Sequence, residues 1–468
     1  MKLDLKIKEI SEDVINPVNL YDILRSSEYS FLLESAEGQE KIGRFSILGY
    51  KPLYIFRLKK RTCILDKLFF KKERKIFTIS DPFLPLREIL SKFSLKADTI
   101  KELPFIGGWV GFIGYEVVNF FEPVKPAPLD ILNFFDIFLI FPKIIFIFDH
   151  FKRRLFLINV LGNTGELKSI LKKIEKKSSL KPVNLEKKKN LKFVSNFRKA
   201  EFLEIVKKAK KMITEGEIIQ VVLSQIFKCK AQIDPFITYR ILRILNPSPY
   251  MFFLKFSDQV LFGSSPEMLV KVKDKKVYTR PIAGTRPRGR DEKEEEILEK
   301  ELINSEKERA EHIMLVDLGR NDLGRVSKQG SVKVDVLMKI EKYSHVMHIV
   351  SQVSGELDKN KDIFDALQSC FPAGTVTGAP KVRAMQIISE LEKVQRGPYA
   401  GCVGYFDVRN TADTCITIRS VVNKGNSFFV QAGAGIVYDS VPLKEHYEIL
   451  KKAQAQILAL EIAKSNRR

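Results

Sequence analysis

Hydrophobic and polar positions change rhythm partway along the chain. Through residue 180, runs rich in Phe, Ile and Leu alternate with short polar stretches, which predicts strands, with turns at Glu37-Gly38 and Gly107-Gly108. The most apolar stretch, residues 131–148, is interrupted by Asp136, Pro142 and Lys143. It predicts two buried strands around a proline turn rather than a membrane span. Residues 181–195 are polar and lysine-rich, the composition of a linker. From Asn196 onward amphipathic helices are predicted at 198–215, 292–317, 362–369, 380–393 and 442–464. Between them lie β-type runs at Tyr250–Phe256, 344–354, 401–407 and 414–422. Strands often follow strands without an intervening helix, so the expected class is α+β with extensive antiparallel sheet. The expected domains are residues 1–180 and 196–468.

Two helical segments carry acids at matched spacing. Glu308 and Glu311 are three apart, and Glu445 and Glu448 repeat the interval. Each pair therefore projects from one helical face. Most such pairs are solvated surface. In the first helix, however, Leu315 falls between the two acids on a helical wheel. Leu302, Ile303, Ala310, Ile313 and Met314 lie on the other side, so a helix buried nearly all round is expected. Carboxylates there need a partner, and a hard divalent cation such as Mg²⁺, which prefers oxygen ligands, is the simplest one. On the second helix Glu445, Glu448, Lys452, Ala455 and Ala459 form one stripe, and its Glu448–Lys452 pair alone would also suit a solvated face.

Composition narrows the class. With 45% hydrophobic and 29% charged residues the chain is globular rather than disordered. The formal charge of +22 raises the question of nucleic acid, but no zinc finger, RNP-like aromatic motif or arginine-rich arm accompanies it. The excess is mostly scattered lysine, so no nucleic-acid partner and no membrane association are expected. Five cysteines, at 63, 229, 370, 402 and 415, form no CxxC pair, which fits reduced thiols in a cytoplasmic protein.

Glycine-bearing turns are expected at Gly433-Ala434-Gly435 and within residues 372–380, where small residues would let backbone N–H groups approach an anion. Neither is a Walker A loop or a GxGxxG motif. Arg419 and Tyr399 have the donors to bind a carboxylate. His348 alternates with apolar neighbours, the setting of a satisfied core histidine.

The order of motifs goes further. Gly263-Ser-Ser-Pro-Glu267, Arg280-Pro-Ile-Ala-Gly-Thr-Arg-Pro-Arg-Gly289, the run from Glu308 to Asp322, Ser344-His-Val-Met-His348, the run from Phe371 to Lys381, Gly401-Cys-Val-Gly-Tyr405 and Gly433-Ala-Gly435 occur in one order. In that order they resemble the chorismate-binding enzymes, most closely the large subunits of anthranilate synthases. The resemblance implies two large, mostly antiparallel β-sheets packed face to face with helices outside. It implies that Glu311 and Glu448, with Glu308 and Glu445 close behind, hold Mg²⁺ against the ring carboxylate of chorismate. Tyr399, Arg419, the Gly433, Ala434 and Gly435 backbone and Lys452 would hold the substrate carboxylates, with Gly284 and Thr285 against the ring. Glu267 is the candidate general acid for the departing C4 hydroxyl, which leaves poorly without a proton. His348 would orient that group.

Two positions separate the relatives. Water-adding members, the isochorismate-type synthases, use a lysine where this chain has Gln220, and many aminodeoxychorismate synthases have a lysine where this chain has Ala283. A glutamine is a poor base, but ammonia needs none, and alanine cannot attack the ring. Ammonia attack at C2 giving anthranilate is the remaining reading, with the two other synthases, or a basic binding protein on an inactive scaffold, as alternatives. No cysteine sits in a glutaminase setting, so a separate glutamine amidotransferase subunit, in a heterotetramer, is expected to supply ammonia. Finally Glu34, Ser35, residues 44–49, Pro249, Tyr250 and Met251 resemble the tryptophan feedback site of the family.

Overall fold

The computed structural model describes residues 2–3, 5–11, 15–35, 43–95, 102–175, 180–343 and 346–466. The turn expected at Glu37-Gly38 and the residues Ser344 and His345 lie outside them. Two long strands, Phe45–Lys59 and Ile137–Asp149, organise everything else. They pair antiparallel from Phe45 opposite Asp149 to Leu58 opposite Ile137, with a register break beside Pro52 and Pro142. Proline donates no ladder hydrogen bond, and Lys51 takes a left-handed φ of 54°, so both strands deviate there. The expected proline turn is thus a break inside one strand. Phe148, Ile147 and their neighbours on both sides of Pro142 are buried, so burial of the ladder outweighs the turn preference of a single proline.

Past the break the two strands acquire different neighbours. Their Phe45–Tyr50 and 144–149 ends belong to a first sheet. It runs from Lys6–Ser11 through Arg154–Asn159, the long pair, Tyr29–Glu34, Tyr250–Phe256, Gln259–Ser265, Ser420–Lys424 and Ser427–Ile436 to Gln220–Lys230. Their other ends belong to a second sheet. There Gly108–Ile113, Cys402–Asp407, Thr411–Ile416, Met268–Lys273, Lys276–Thr279 and Val346–Glu356 follow in turn. Phe256 of the first sheet stacks on Phe138 and Phe112 of the second, with ring centroids 4.5 and 6.4 Å apart. Each buried ring of this kind contributes about 1.5–3 kcal/mol of transfer free energy.

The expected domain division does not divide the sheets. Strand Tyr29–Glu34 pairs with Tyr250–Phe256, and Gly108–Ile113 pairs with Cys402–Asp407, so each sheet draws on both halves of the sequence. Residues 181–193 have no regular structure, and Val194–Ser195 adds a short edge to Gln220–Lys230.

Two chain crossings between the sheets matter for the site. Gln259–Ser265 lies in the first sheet and Met268–Lys273 in the second, with Pro266 and Glu267 between them. Thr411–Ile416 lies in the second and Ser420–Lys424 in the first. The single run expected at 414–422 is therefore broken, and Arg419, with φ 52°, stands at the break. The crossings are tied together. Ile416 N–H donates to the Glu267 carbonyl at 3.0 Å, and Ser264 N–H to the Arg419 carbonyl at 3.1 Å.

The helix expected at 292–317 is two helices, Glu292–Asn304 and Glu306–Gly324. Ser305 is extended, and its hydroxyl accepts from Glu308 N–H as the N-cap of the second helix. Leu302 and Ile303 therefore belong to a different helix from Glu308. Ala310 and Ile313 are exposed, so the second helix is not buried all round. The last helix is Pro442–Ser465.

Candidate active site

Glu267 and Arg419, brought together by the crossings, face elements that carry most of the other expected site residues. Glu267 is 7% exposed, and burial pushes its carboxyl up to about 8. The Thr375 hydroxyl and the Lys452 charge oppose that rise only in part. The group holds its proton at neutral pH, as a general acid must. Arg419 donates through Nη1 to the Lys452 carbonyl at 2.7 Å. Among the described residues no carboxylate comes within salt-bridge distance of it. A half-buried cation, whose desolvation depresses its proton affinity, is left without an ionic partner among the described residues.

Gly433, Ala434 and Gly435 lie inside the strand Ser427–Ile436, opposite Ser224, Leu223 and Val222, and not in the expected turn. Their smallness serves close approach. A Cβ at Gly433 would fall 2.7 Å from the Tyr399 hydroxyl, and one at Gly435 would fall 2.6 Å from Gln220 Nε2. Tyr399 is itself buried, which raises its phenol to about 12. Lys452 reaches the Gly433 carbonyl at 3.1 Å and Glu448 Oε1 at 2.5 Å.

Gln220 begins the strand Gln220–Lys230 and is buried. Its Nε2 donates to Glu311 Oε1 at 3.1 Å, while its Oε1 is buried with no partner among the described residues. A reversed amide would set its oxygen against the Glu311 carboxylate, so the orphan acceptor is a property of the site. Gly284 has φ +67° and lies in the strand Ile282–Pro287, with Glu308 Oε2 3.1 Å from where a Cβ would stand. Its carbonyl accepts from His348 Nδ1 at 2.9 Å, and Thr285 Oγ1 lies 3.1 Å from the same nitrogen. A carbonyl only accepts, so Nδ1 carries the proton and Nε2 offers a lone pair. Burial lowers the proton affinity of His348, keeping it neutral. It is half-buried beside Gly284, not a core histidine.

The four glutamates fit a hard cation in donor chemistry. Burial, then the neighbouring Glu308, raises the carboxyl of Glu311, and burial, then Glu448, raises that of Glu445. Lys307 and Lys452 oppose both shifts, which ties the two helices to one electrostatic neighbourhood. Like charges held together are what a divalent ion relieves. The residues do not form a closed cage, since among the described residues no three acids converge on one point. Three of them lean instead on a protein partner: Glu308 on Arg286 at 3.3 Å, Glu311 on Gln220 and Glu448 on Lys452.

A sequence model of chorismate binding enzymes matches residues 28–458. The chain belongs to the chorismate binding enzyme family. An anthranilate synthase component 1 from Aquifex aeolicus (strain VF5) is 44% identical over 472 residues, 98% of this chain and 94% of that protein. One from Acetivibrio thermocellus is 45% identical, covering 97% of this chain and 94% of that protein. The crystal structure of anthranilate synthase component I from Streptococcus pneumoniae TIGR4 matches with a TM-score of 0.80 at 35% identity, over 96% of this chain and 99% of that one.

Apart from that site, this chorismate binding enzyme has a cavity of about 770 Å³, lined by Glu34, Ser35, Pro249, Tyr250 and Met251 among others. Among the described residues the buried Ser35 hydroxyl has no hydrogen-bond partner. The Glu34 carboxylate accepts from Tyr239 at 2.6 Å and from Arg243 at 3.0 Å, which fixes it in the cavity wall. Both partners lie on the helix Pro235–Leu245. The five cysteines are free and buried, and burial raises their thiols, that of Cys370 to about 12. None is an activated nucleophile. Among the described residues no helix is long and apolar enough to cross a membrane.

Residues missed in the sequence also contribute. Thr375 faces Glu267, Arg286 pairs with Glu308, and Arg396 lies against Tyr399. Arg396 had a visible signal, since it opens the same Arg-Gly-Pro-Tyr segment that drew notice to Tyr399.

Proposed function

We propose that this chain is the large subunit of an anthranilate synthase, converting chorismate and ammonia to anthranilate, pyruvate and water. The observation that carries the proposal is Arg419, with no carboxylate partner among the described residues, beside the Gly433–Gly435 backbone and Tyr399, an anion site built next to a protonated carboxylic acid, Glu267. Arg419 and Tyr399 bind the carboxylates of chorismate, and Gly284 and Thr285 form the floor under its ring. Gln220 Oε1 is an acceptor awaiting an N–H donor, which suits ammonia arriving at C2 better than a lysine-activated water. Glu267 gives its proton to the C4 hydroxyl as that group leaves as water. His348, neutral and fixed through Nδ1, orients the leaving group or the amino intermediate. A proton then leaves C2 and the enolpyruvyl C–O bond breaks, releasing pyruvate and an aromatic ring. Glu311 and Glu448, with Glu308 and Glu445, would hold Mg²⁺, whose charge would bind the ring carboxylate.

Ammonia comes, in this reading, from a separate amidotransferase subunit in a heterotetramer, because every thiol here is buried and inert. The chain alone is expected to turn over chorismate with ammonium and not with glutamine. Turnover with glutamine alone would contradict the division of labour. Ala283, buried beside Gly284, supplies no nucleophile. Ala283→Lys is expected to trap chorismate or its intermediate as a covalent adduct, seen as a mass increase of the intact protein. An unmodified mass after turnover would count against that placement.

Tryptophan is proposed to inhibit through the 770 Å³ cavity, with Ser35, Pro249, Tyr250 and Met251 lining its site. Glu34, held by Arg243 and Tyr239, lines the same site. Ser35→Arg, which fills the cavity, and Met251→Thr, which removes an apolar wall, are each expected to keep activity. Each is expected to raise the tryptophan concentration needed for half inhibition about tenfold or more. Unchanged inhibition in both would place the regulatory site elsewhere.

A further inference from the structure

One buried ion pair has no part in the chemistry above. Arg396 is 1% exposed, with Nη2 2.6 Å from Glu392 Oε1 and Nε 2.9 Å from Glu392 Oε2. A buried pair is a weak source of net stability, because both charges are taken out of water. What distinguishes this one is where its other contacts go. Nη1 donates to the Val376 carbonyl at 2.7 Å and Nη2 to the Val222 carbonyl at 2.8 Å. Glu392 Oε1 accepts from Ser224 N–H at 2.7 Å and from its hydroxyl at 2.9 Å. The guanidinium lies over the rings of Tyr399 and Tyr115, 5.6 and 4.9 Å from their centroids. The backbone N–H groups of Arg396 and Gly397 donate to Glu116 at 2.7 and 2.9 Å, which pins the turn leading to Tyr399.

Each contact supports a residue of the substrate site. Val222 lies two residues beyond Gln220 and opposite Gly435. Val376 follows Thr375, the neighbour of Glu267. Ser224 stands opposite Gly433, over which the Tyr399 hydroxyl lies. We propose that the Glu392–Arg396 pair is a positioning device for the site, setting Tyr399 against the Gly433–Gly435 backbone and Gln220 without touching the reacting atoms. The proposal rests on the reading of the site as one for chorismate. Lysine keeps the charge, but its compact ammonium lacks the planar fork that meets both Glu392 oxygens and two carbonyls at once.

The test is a double-mutant cycle of Arg396→Lys and Tyr399→Phe, read as KM and kcat for chorismate with ammonium, with folding checked by circular dichroism and melting. Each single variant is expected to raise KM about tenfold with kcat little changed, because a hydrogen bond to a charged substrate group is lost. The double variant is expected to stay within about threefold of either single, since both changes disable the same contact. Effects that multiply to about a hundredfold would overturn the proposal, as independent losses do. Wild-type kinetics in Arg396→Lys would overturn it as well. If Arg396→Lys does not fold, Glu392→Gln takes its place under the same criterion, and failure of both to fold would make the pair a folding element only. An inactive wild-type chain would sink the chorismate reading itself, which additivity in an active enzyme would leave standing.

Discussion

Glu267→Gln is expected to lower kcat by about 10²- to 10⁴-fold, the usual contribution of a positioned general acid. In the proposed reaction the C4 hydroxyl departs only if protonated, and Glu267 is the buried, protonated carboxyl at the sheet crossing proposed to supply the proton. Its burial holds the proton to about pH 8, against an ordinary carboxyl value of 4.5. The protonated form is the competent one, so kcat/KM for chorismate should be full below about 8 and fall as pH rises through it, at constant free ammonia. Glutamine keeps the shape and the hydrogen-bonding oxygen but has no proton to give, so KM for chorismate should change little. Wild-type kcat in Glu267→Gln, or a rate that stays flat as pH passes 8 and climbs well beyond it, would remove Glu267 from the acid's role.

Glu448→Gln is expected to cost about a thousandfold or more in turnover, a loss on the scale of a missing metal ligand. Its side chain is 47% exposed, so the fold should survive. The variant also frees Lys452, which now bridges Glu448 and the Gly433 carbonyl. Lys452→Met separates the two effects. If Glu448 holds the ion, the Mg²⁺ concentration for half activation should rise in Glu448→Gln and stay unchanged in Lys452→Met. Mg²⁺ should also raise the melting temperature of the wild type more than that of Glu448→Gln, because an ion that binds only the folded state stabilises it. A Glu448→Gln enzyme that works at near wild-type rates in low Mg²⁺ would exclude this residue as a ligand.

What was legible in the sequence followed from periodicity; what was not depended on neighbours distant in the chain. The helices at Lys199–Thr214, Ile363–Cys370, Lys381–Glu392 and Pro442–Ser465 fall where their amphipathic pattern predicts. The helix Pro235–Leu245 was missed because Ile, Phe, Thr and Tyr suit strands equally well. Yet Asp234 accepts from Phe236 N–H and Pro235 opens the helix, a start signal that local reading could have used. The break at Ser305 was readable in the same way, since a serine followed three residues later by an acid is a cap pattern. By contrast, nothing local announces that 414–422 leaves one sheet for the other at Arg419, or that Glu267 sits on the companion crossing. Both depend on strand partners from the opposite half of the chain. The glycines at 433 and 435 were noticed but misplaced, because close approach by Tyr399 and Gln220 is invisible without the fold. The four paired glutamates show the same limit. Their spacing was legible, but their lean toward Arg286, Gln220 and Lys452 was not.

The most direct test of the central claim is to identify the product of the purified chain with chorismate, Mg²⁺ and ammonium, by fluorescence and mass. The account predicts anthranilate and pyruvate in equal amounts, suppressed by tryptophan. 4-Amino-4-deoxychorismate or isochorismate in their place would contradict it, and would show that Ala283 and Gln220 do not set the course of the reaction.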